Sequence, residues 1–337
     1  MMRLARILVP ILTLGCLAGL SPAAAQAGPG TFPAAVPQVT VTRNLTQPST
    51  LNSSWRRIAK IRYGTATSRL GTSPGGDNLM IGPDYGVQVP NKTWWYLDAA
   101  KLRLAHYSDT GAYLGQVKLP TKYLAQGIYF QWANPFALAD GTVVLTGNGV
   151  TPALLLLSPG KKLSKVKLPR FFGPMVTDGH SLYGFDENGV SVRVKPKTGA
   201  MTTVSSFKGQ GGRTFSITAA SDHISVKRPG VNLRINLIDP THPSLAVHPA
   251  VEAVMASNGK LWILATGIVE LSPGNAYDVA GLFSVSASGA VSAVEPVRTL
   301  YSETDPGSGH HLGIRQGSSR PTLMFIDTDA VRVYRKK

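Results

Sequence analysis

The sequence predicts an all-β fold: a six-bladed β-propeller of four-stranded antiparallel blades, closed by an N-terminal strand that completes the C-terminal blade. Three observations carry this reading. The 337 residues include 35 Gly and 24 Pro, a density of turn-formers that suits many short strands. Turns between short apolar runs recur at residues 91, 140, 178, 221 and 258, spacings of roughly 37 to 49 that match propeller blades. Beyond residue 30 no window sustains an apolar stripe at helical spacing. With 43% hydrophobic and only 15% charged residues, the chain is able to bury a large core without disulfides.

Residues 1–27 read as a signal peptide. Arg3 and Arg6 make a positive start, residues 7–20 form an apolar segment broken by Pro10, and residues 21–27 (SPAAAQA) suit cleavage after Ala25 or Ala27. The apolar run is short for a membrane span. The expected location is secreted, extracellular or cell-envelope, with no transmembrane span in the mature chain. Cys16 is the one cysteine and lies in this leader, so the mature chain is expected to have no disulfide and no thiol chemistry. Residues 12–16 (LTLGC) faintly match a lipobox in which Cys16 would be lipidated, but Thr13 and the apolar residues after Cys16 depart from that pattern. Residues 28–54, with Pro29, Pro33, Pro37 and Pro48 among Ala, Thr, Ser and Asn, read as an extended linker. That leaves 55–337 for the propeller.

The clearest blade is residues 83–120. Residues 86–89 give a short apolar strand, Pro90-Asn91-Lys92 a turn, and 93–98 (TWWYLD) a strand rich in aromatic and branched residues. Residues 102–106 alternate, 108–111 (SDTG) turn the chain again, and 112–119 supply the fourth strand. The second unit has strands at 136–139, 142–146, 153–157 and 163–168, and the third at 174–177, 181–186, 191–195 and 201–207. The fourth is read as 215–219, 223–227, 233–238 and 245–248. In the fifth, strands at 253–256, 260–266, 281–285 and 291–294 leave residues 267–280 as an inserted loop or an extended hairpin. The sixth offers three strands, at 311–314, 322–327 and 330–334. Residues 55–63 (WRRIAKIRY) are the natural fourth, a pairing that would remove two exposed sheet edges.

Residues 83–117 resemble an NHL-type repeat. The motif positions are Pro83, the strand 86–89, Asn91-Lys92, Trp95-Tyr96-Leu97-Asp98, Arg103-Leu104, Asp109 and Gly111. The sixth unit echoes it in Phe325-Ile326-Asp327 and Val331-Arg332-Val333-Tyr334, whereas units two to five keep only the strand–turn rhythm. The resemblance implies a six-bladed NHL-type propeller and matches no specific enzyme family. On the same comparison Trp95 and Leu97 are inter-blade core rather than a ligand platform.

The formal net charge of +16 implies attraction to polyanions such as anionic lipid, cell-wall polymer or acidic glycan. The densest basic stretches, 55–62, 161–170 and 331–337, lack the aromatic interleaving of a nucleic-acid module, so no nucleic-acid partner is expected.

Propeller ligands usually sit at the channel mouth, on the starts of the inner strands and the loops before them. The candidates there are Tyr85, Trp132, Phe136, Phe172, Arg213, Phe215, Glu252, His310 and His311. An aromatic mouth with a few charges suits a peptide or sugar, although each aromatic equally suits inter-blade packing. His310 and His311 are adjacent on a strand and so point to opposite faces, which disfavours joint metal ligation. Propellers similar to the amidating lyases take one histidine from each of several inner strands, and units one to four offer none at the matching place. No metal site and no cofactor are therefore expected. Six-bladed lactonases of the gluconolactonase kind imply a Glu with Asn and Asp around calcium; Glu252 fits the Glu, with Asn134, Asn232 and Asp305 as candidate companions. Asp98, Asp186 and Asp327 recur at a strand end, which argues for a structural turn contact. No Gly-x-Ser-x-Gly elbow or phosphate loop is present. The expectation is a non-catalytic binding or scaffold module for a peptide, glycan or anionic wall polymer. The alternative is a divalent-metal (Ca or Zn) lactonase or lyase with its site at the channel mouth.

Overall fold

The computed structural model describes residues 51, 54–74, 80–81, 86–122, 128–129, 135–149, 151–219, 223–229, 231–235, 247–272, 275–296, 309–326 and 329–337. Six blades of four antiparallel strands make up a β-propeller among these residues. From the channel outward, blade 1 is Gly86–Gln88, Trp94–Asp98, Arg103–Tyr107 and Tyr113–Lys118. Blade 2 is Phe136–Ala137, Val143–Gly149, Ala153–Leu157 and Leu163–Lys167, with Ile128–Tyr129 paired to the far end of its second strand. Blade 3 is Phe172–Thr177, Leu182–Asp186, Ser191–Lys195 and Ala200–Thr203, and blade 4 is Phe207–Lys208, Thr214–Ala219, Ile224–Arg228 and Val231–Ile235. Blade 5 is Val247–Met255, Leu261–Ser272, Asn275–Val285 and Val291–Pro296. Blade 6 is Gly309–Ile314, Pro321–Ile326 and Ala330–Lys336, with Trp55–Arg62 antiparallel to the last of these as its outermost strand.

Second strands such as Trp94–Asp98 and Pro321–Ile326 are buried throughout because both their faces are covered by neighbouring blades, whereas TFSITA of blade 4 alternates. In blade 1 the period-2 alternation sends Trp95 and Leu97 toward Leu145 and Leu155 of blade 2. Trp94 and Tyr96 face the other way, onto Met324, Val331 and Val333 of blade 6. Each such fully buried side chain contributes roughly 1.5–3 kcal/mol of hydrophobic stabilisation. The aromatic block of blade 1 is inter-blade core, as expected. Outer strands have one covered face at most, hence the mostly exposed LSKVK of Leu163–Lys167.

One part of the strand reading needs correction. Blade 4 is displaced by one strand: its inner strand is Phe207–Lys208, followed by the turn 209–213, and Phe215 belongs to the second strand. A two-residue strand running into Gly209-Gln210-Gly211-Gly212 carries no periodicity, so residues 201–207 read as the end of the third unit. In blade 5, the alternative left open for residues 267–280 resolves as an extended hairpin, with Thr266 paired to Ala280 and Val269 to Tyr277.

Polar ties join blade 1 to the chain before it. Asp98, fully buried, accepts Arg103 Nε at 2.7 Å and the Gly71 N–H at 3.1 Å. The Lys101 ammonium donates to the carbonyls of Gly64 at 2.7 Å, Ala66 at 2.8 Å and Arg69 at 2.9 Å, ordering the segment that follows Trp55–Arg62. Asp186 has the comparable turn role in blade 3, accepting the N–H groups of Asn188 and Val190, while Asp327 lies outside the described residues.

Candidate functional site

Inner strands set the site, because they alone face the propeller axis. A cavity of about 210 Å³ lies between the inner strands of blades 1, 2, 3, 5 and 6, walled by Phe136, Pro174, Met175 and Leu312 and carrying Glu252 and His311. This is smaller than the roughly 300–1,000 Å³ of pockets that enclose whole small molecules. It accommodates a protruding group of a larger ligand.

One end of the axis is laced shut by the blade 6 turn that follows Gly309–Ile314. Arg315 Nη1 donates to the Pro90 carbonyl of blade 1 at 3.4 Å, and Gln316 Nε2 to the Ala137 carbonyl of blade 2 at 3.4 Å. Gln210 of blade 4 donates through Nε2 to the Arg315 carbonyl at 3.3 Å and accepts the Gly317 N–H at 2.7 Å. The Ser257 N–H of blade 5 donates to the Ser318 carbonyl at 2.9 Å. Gln316 also packs against Gly179 of blade 3, where an added Cβ would lie 2.9 Å from its Oε1. One turn therefore touches all five other blades.

Within the cavity the main polar feature spans blades 5 and 6. Glu252 Oε2 accepts the Leu312 N–H at 2.7 Å, and His311 Nδ1 lies 3.2 Å from Oε1 and 3.1 Å from Oε2. The His311 side chain is 10% exposed and that of Glu252 27%, so the pair is screened from solvent but reachable. With Glu252 ionised, Nδ1 is the donor, which fixes the tautomer and orientation of the ring. A carboxylate held in this way can accept a hydrogen bond from a ligand hydroxyl or amide. Among the described residues no three His, Cys, Asp or Glu side chains come together, so this pair is not part of a metal-ligand set there.

The sequence candidates divide accordingly. Phe136, Glu252 and His311 meet at the cavity. Phe172 is 6% exposed and packs between blades 2 and 3, and Phe215 is 1% exposed in the core of blades 3 to 5. Arg213 is exposed in the 209–213 turn, at the shut end of the axis, a consequence of the shifted blade 4. His310 occupies an inner-strand position opposite Phe325. Tyr85 and Trp132 lie outside the described residues, as do Asn134 and Asp305, while Asn232 is on the outermost strand of blade 4, away from Glu252. Met175, Leu312 and the bridging Gln210 were missed; only their inner-strand and turn positions could have flagged them.

Residues 53–336 match the family model described as Domain of unknown function (DUF7485). The chain belongs to that family. No curated protein matches the sequence. Among solved structures, this DUF7485 chain is similar to virginiamycin B lyase from Staphylococcus aureus, at 10% identity and a TM-score of 0.43 over 75% of this chain and 94% of that one. It is similar to a structural genomics protein of unknown function from Bacteroides thetaiotaomicron, at 13% identity and a TM-score of 0.45 over 83% and 75% of the two chains. It is also similar to BamB from Moraxella catarrhalis, at 12% identity and a TM-score of 0.35 over 84% and 98%. At these identities no activity is carried over.

Proposed function

We propose that this propeller is a secreted or cell-envelope binding module that holds a peptide or glycan segment end-on in its channel. The observation that carries the reading is the 210 Å³ cavity, apolar-walled, with the Glu252–His311 pair as its polar contact. Those walls suit one apolar group, and the carboxylate–imidazole pair suits a hydrogen-bond donor beside it. A carboxylate in the cavity disfavours an anionic wall polymer at this point, so such a polymer would contact the protein elsewhere. The leader pattern of residues 1–27 supports export. Mass spectrometry of the mature N-terminus tests that part, with a start at Gln26 or Gly28 expected.

The channel is tested by calorimetry against short peptides with an apolar terminal side chain and against di- to tetrasaccharides. Ligands found this way should lose at least about tenfold in affinity to Met175→Trp, which fills the cavity, and to Glu252→Gln, which removes its charge. Unchanged affinity in both folded variants would place the ligand outside the channel. A divalent-metal lactonase or lyase is the second reading; Glu252 and His311 would supply two of its ligands, and the described residues bring no third beside them. Stoichiometric calcium or zinc in the purified protein, lost together with thermal stability on chelation, would overturn the binding-only reading.

A further inference from the structure

The shut end of the axis is also an electrostatically one-sided face. In a four-stranded antiparallel sheet the first-to-second and third-to-outer turns fall at the same end. The blade 6 turn contacts show that the inner turns of all six blades converge there. Exposed Lys92, Lys161, Lys162, Lys208, Arg213 and Arg320 stand on this face, from blades 1, 2, 4 and 6. None of these six is in an ion pair with a carboxylate of the described residues.

The acids on the same turns are already engaged. Asp109 holds Arg335, Asp140 holds Lys197 at 3.0 Å, and Asp178 accepts the Tyr183 hydroxyl and two backbone N–H groups. Asp98, Asp186, Glu187 and Asp329 belong to second-to-third turns at the opposite end. The six cations therefore keep their field, spread around a ring rather than along a groove.

We propose that this turn face docks flat on an anionic lipid bilayer. A two-dimensional array of headgroups meets cations on four blades at once, whereas a linear polyanion would follow a single stripe. Leu114, 48% exposed just past the blade 1 third-to-outer turn, adds an apolar group at the rim of the face. Docking this way turns the shut end of the axis to the membrane and leaves the other end to solvent. The proposal is independent of what the channel binds.

Vesicle flotation of the whole chain tests it, with vesicles of 30% phosphatidylglycerol in phosphatidylcholine, pure phosphatidylcholine vesicles, and soluble polyphosphate as competitor. Binding is expected on the anionic vesicles only, and it should weaken steeply between about 0.05 and 0.5 M salt. The triple variant K92E/R213E/R320E should lose at least about tenfold in partitioning. The triple R62E/K118E/K167E, equal in charge change but set at the far ends of the outer strands, should lose less than about threefold. Thermal melts check folding, and K92Q/R213Q/R320Q replaces the reversal triple if that triple is unfolded. Equal losses from both triples, equal binding to pure phosphatidylcholine, or tighter binding to polyphosphate than to charge-matched vesicles would each overturn the proposal, the last in favour of an anionic polymer.

Discussion

Arg335 and Asp109 are 226 positions apart in the chain and 2.7 Å apart across the junction of blades 6 and 1. Gln88 completes the cluster, donating to Asp109 Oδ1 at 2.6 Å and accepting Arg335 Nη2 at 3.1 Å. The pair ties the ends of the ring together through side chains, at a junction whose strands come from both ends of the propeller. Arg335→Ala is expected to lower unfolding stability by about 1–2 kcal/mol, the lower part of the range for charged hydrogen bonds because both side chains are partly exposed. Denaturant unfolding measures it, and a double-mutant cycle with Asp109→Asn should show coupling rather than additivity.

The same carboxylate sets a pH dependence. Burial would raise Asp109, but the hydrogen bonds and charge of Arg335 and the amide of Gln88 outweigh it and hold the group below the ordinary carboxylate value. Asp140 is likewise lowered, its burial offset by the Thr142 N–H and Lys197, and Asp329 is lowered chiefly by Lys60. A carboxyl with a lowered folded value stabilises fully above its unfolded value, about 3.9, and loses that contribution as pH falls through the folded value. These groups should leave the melting temperature unchanged between pH 7 and 5 and lower it below about pH 4. Asp109→Asn should show a shallower acid limb by calorimetry.

At the cavity, Glu252→Ala leaves the Leu312 N–H without its acceptor and is expected to cost about 1–3 kcal/mol. Glu252→Gln keeps an oxygen for that N–H and should cost less. Chemical denaturation of the two variants reads the difference, and equal losses would mean that the charge, not the acceptor, matters.

Gln210→Ala removes both bonds to the blade 6 turn from a side chain that is 4% exposed. Hydrogen exchange should quicken by about tenfold or more at residues 315–318, with the outer strands of every blade unaffected.

Lys101→Met preserves length but strips the ammonium from its ring of carbonyls. The segment 64–71 should then open locally, and trypsin cleavage after the exposed Arg69 should quicken by about tenfold before any global unfolding. Peptide mapping at early times reads this directly.

How much of this was legible depended on length and repetition. Blade 1 announced itself because TWWYLD has two apolar faces and turns with clear chemistry on both sides. Blade 4 slipped by a strand because Phe207–Lys208 is too short to show a period, and the glycines after it look like any loop. Glu252 was legible as a channel-mouth carboxylate, although the inner strand that carries it begins earlier, at Val247. Its pairing with His311 was not, since His310-His311 offers both faces and only the sheet register chooses between them. The contact of Gln210 with Arg315 and Gly317 joins residues 105 and 107 positions apart, a convergence that no local pattern encodes.

The partnership of Trp55–Arg62 with Ala330–Lys336 has a kinetic meaning. The outermost strand of blade 6 is synthesised before the rest of the propeller and its partner after it, so the register Trp55–Lys336 to Arg62–Ala330 forms only once Lys336 has been made. Such sequence-distant pairing makes for slow final closure. The ring thus stays open until Ala330–Lys336 is available to pair with Trp55–Arg62.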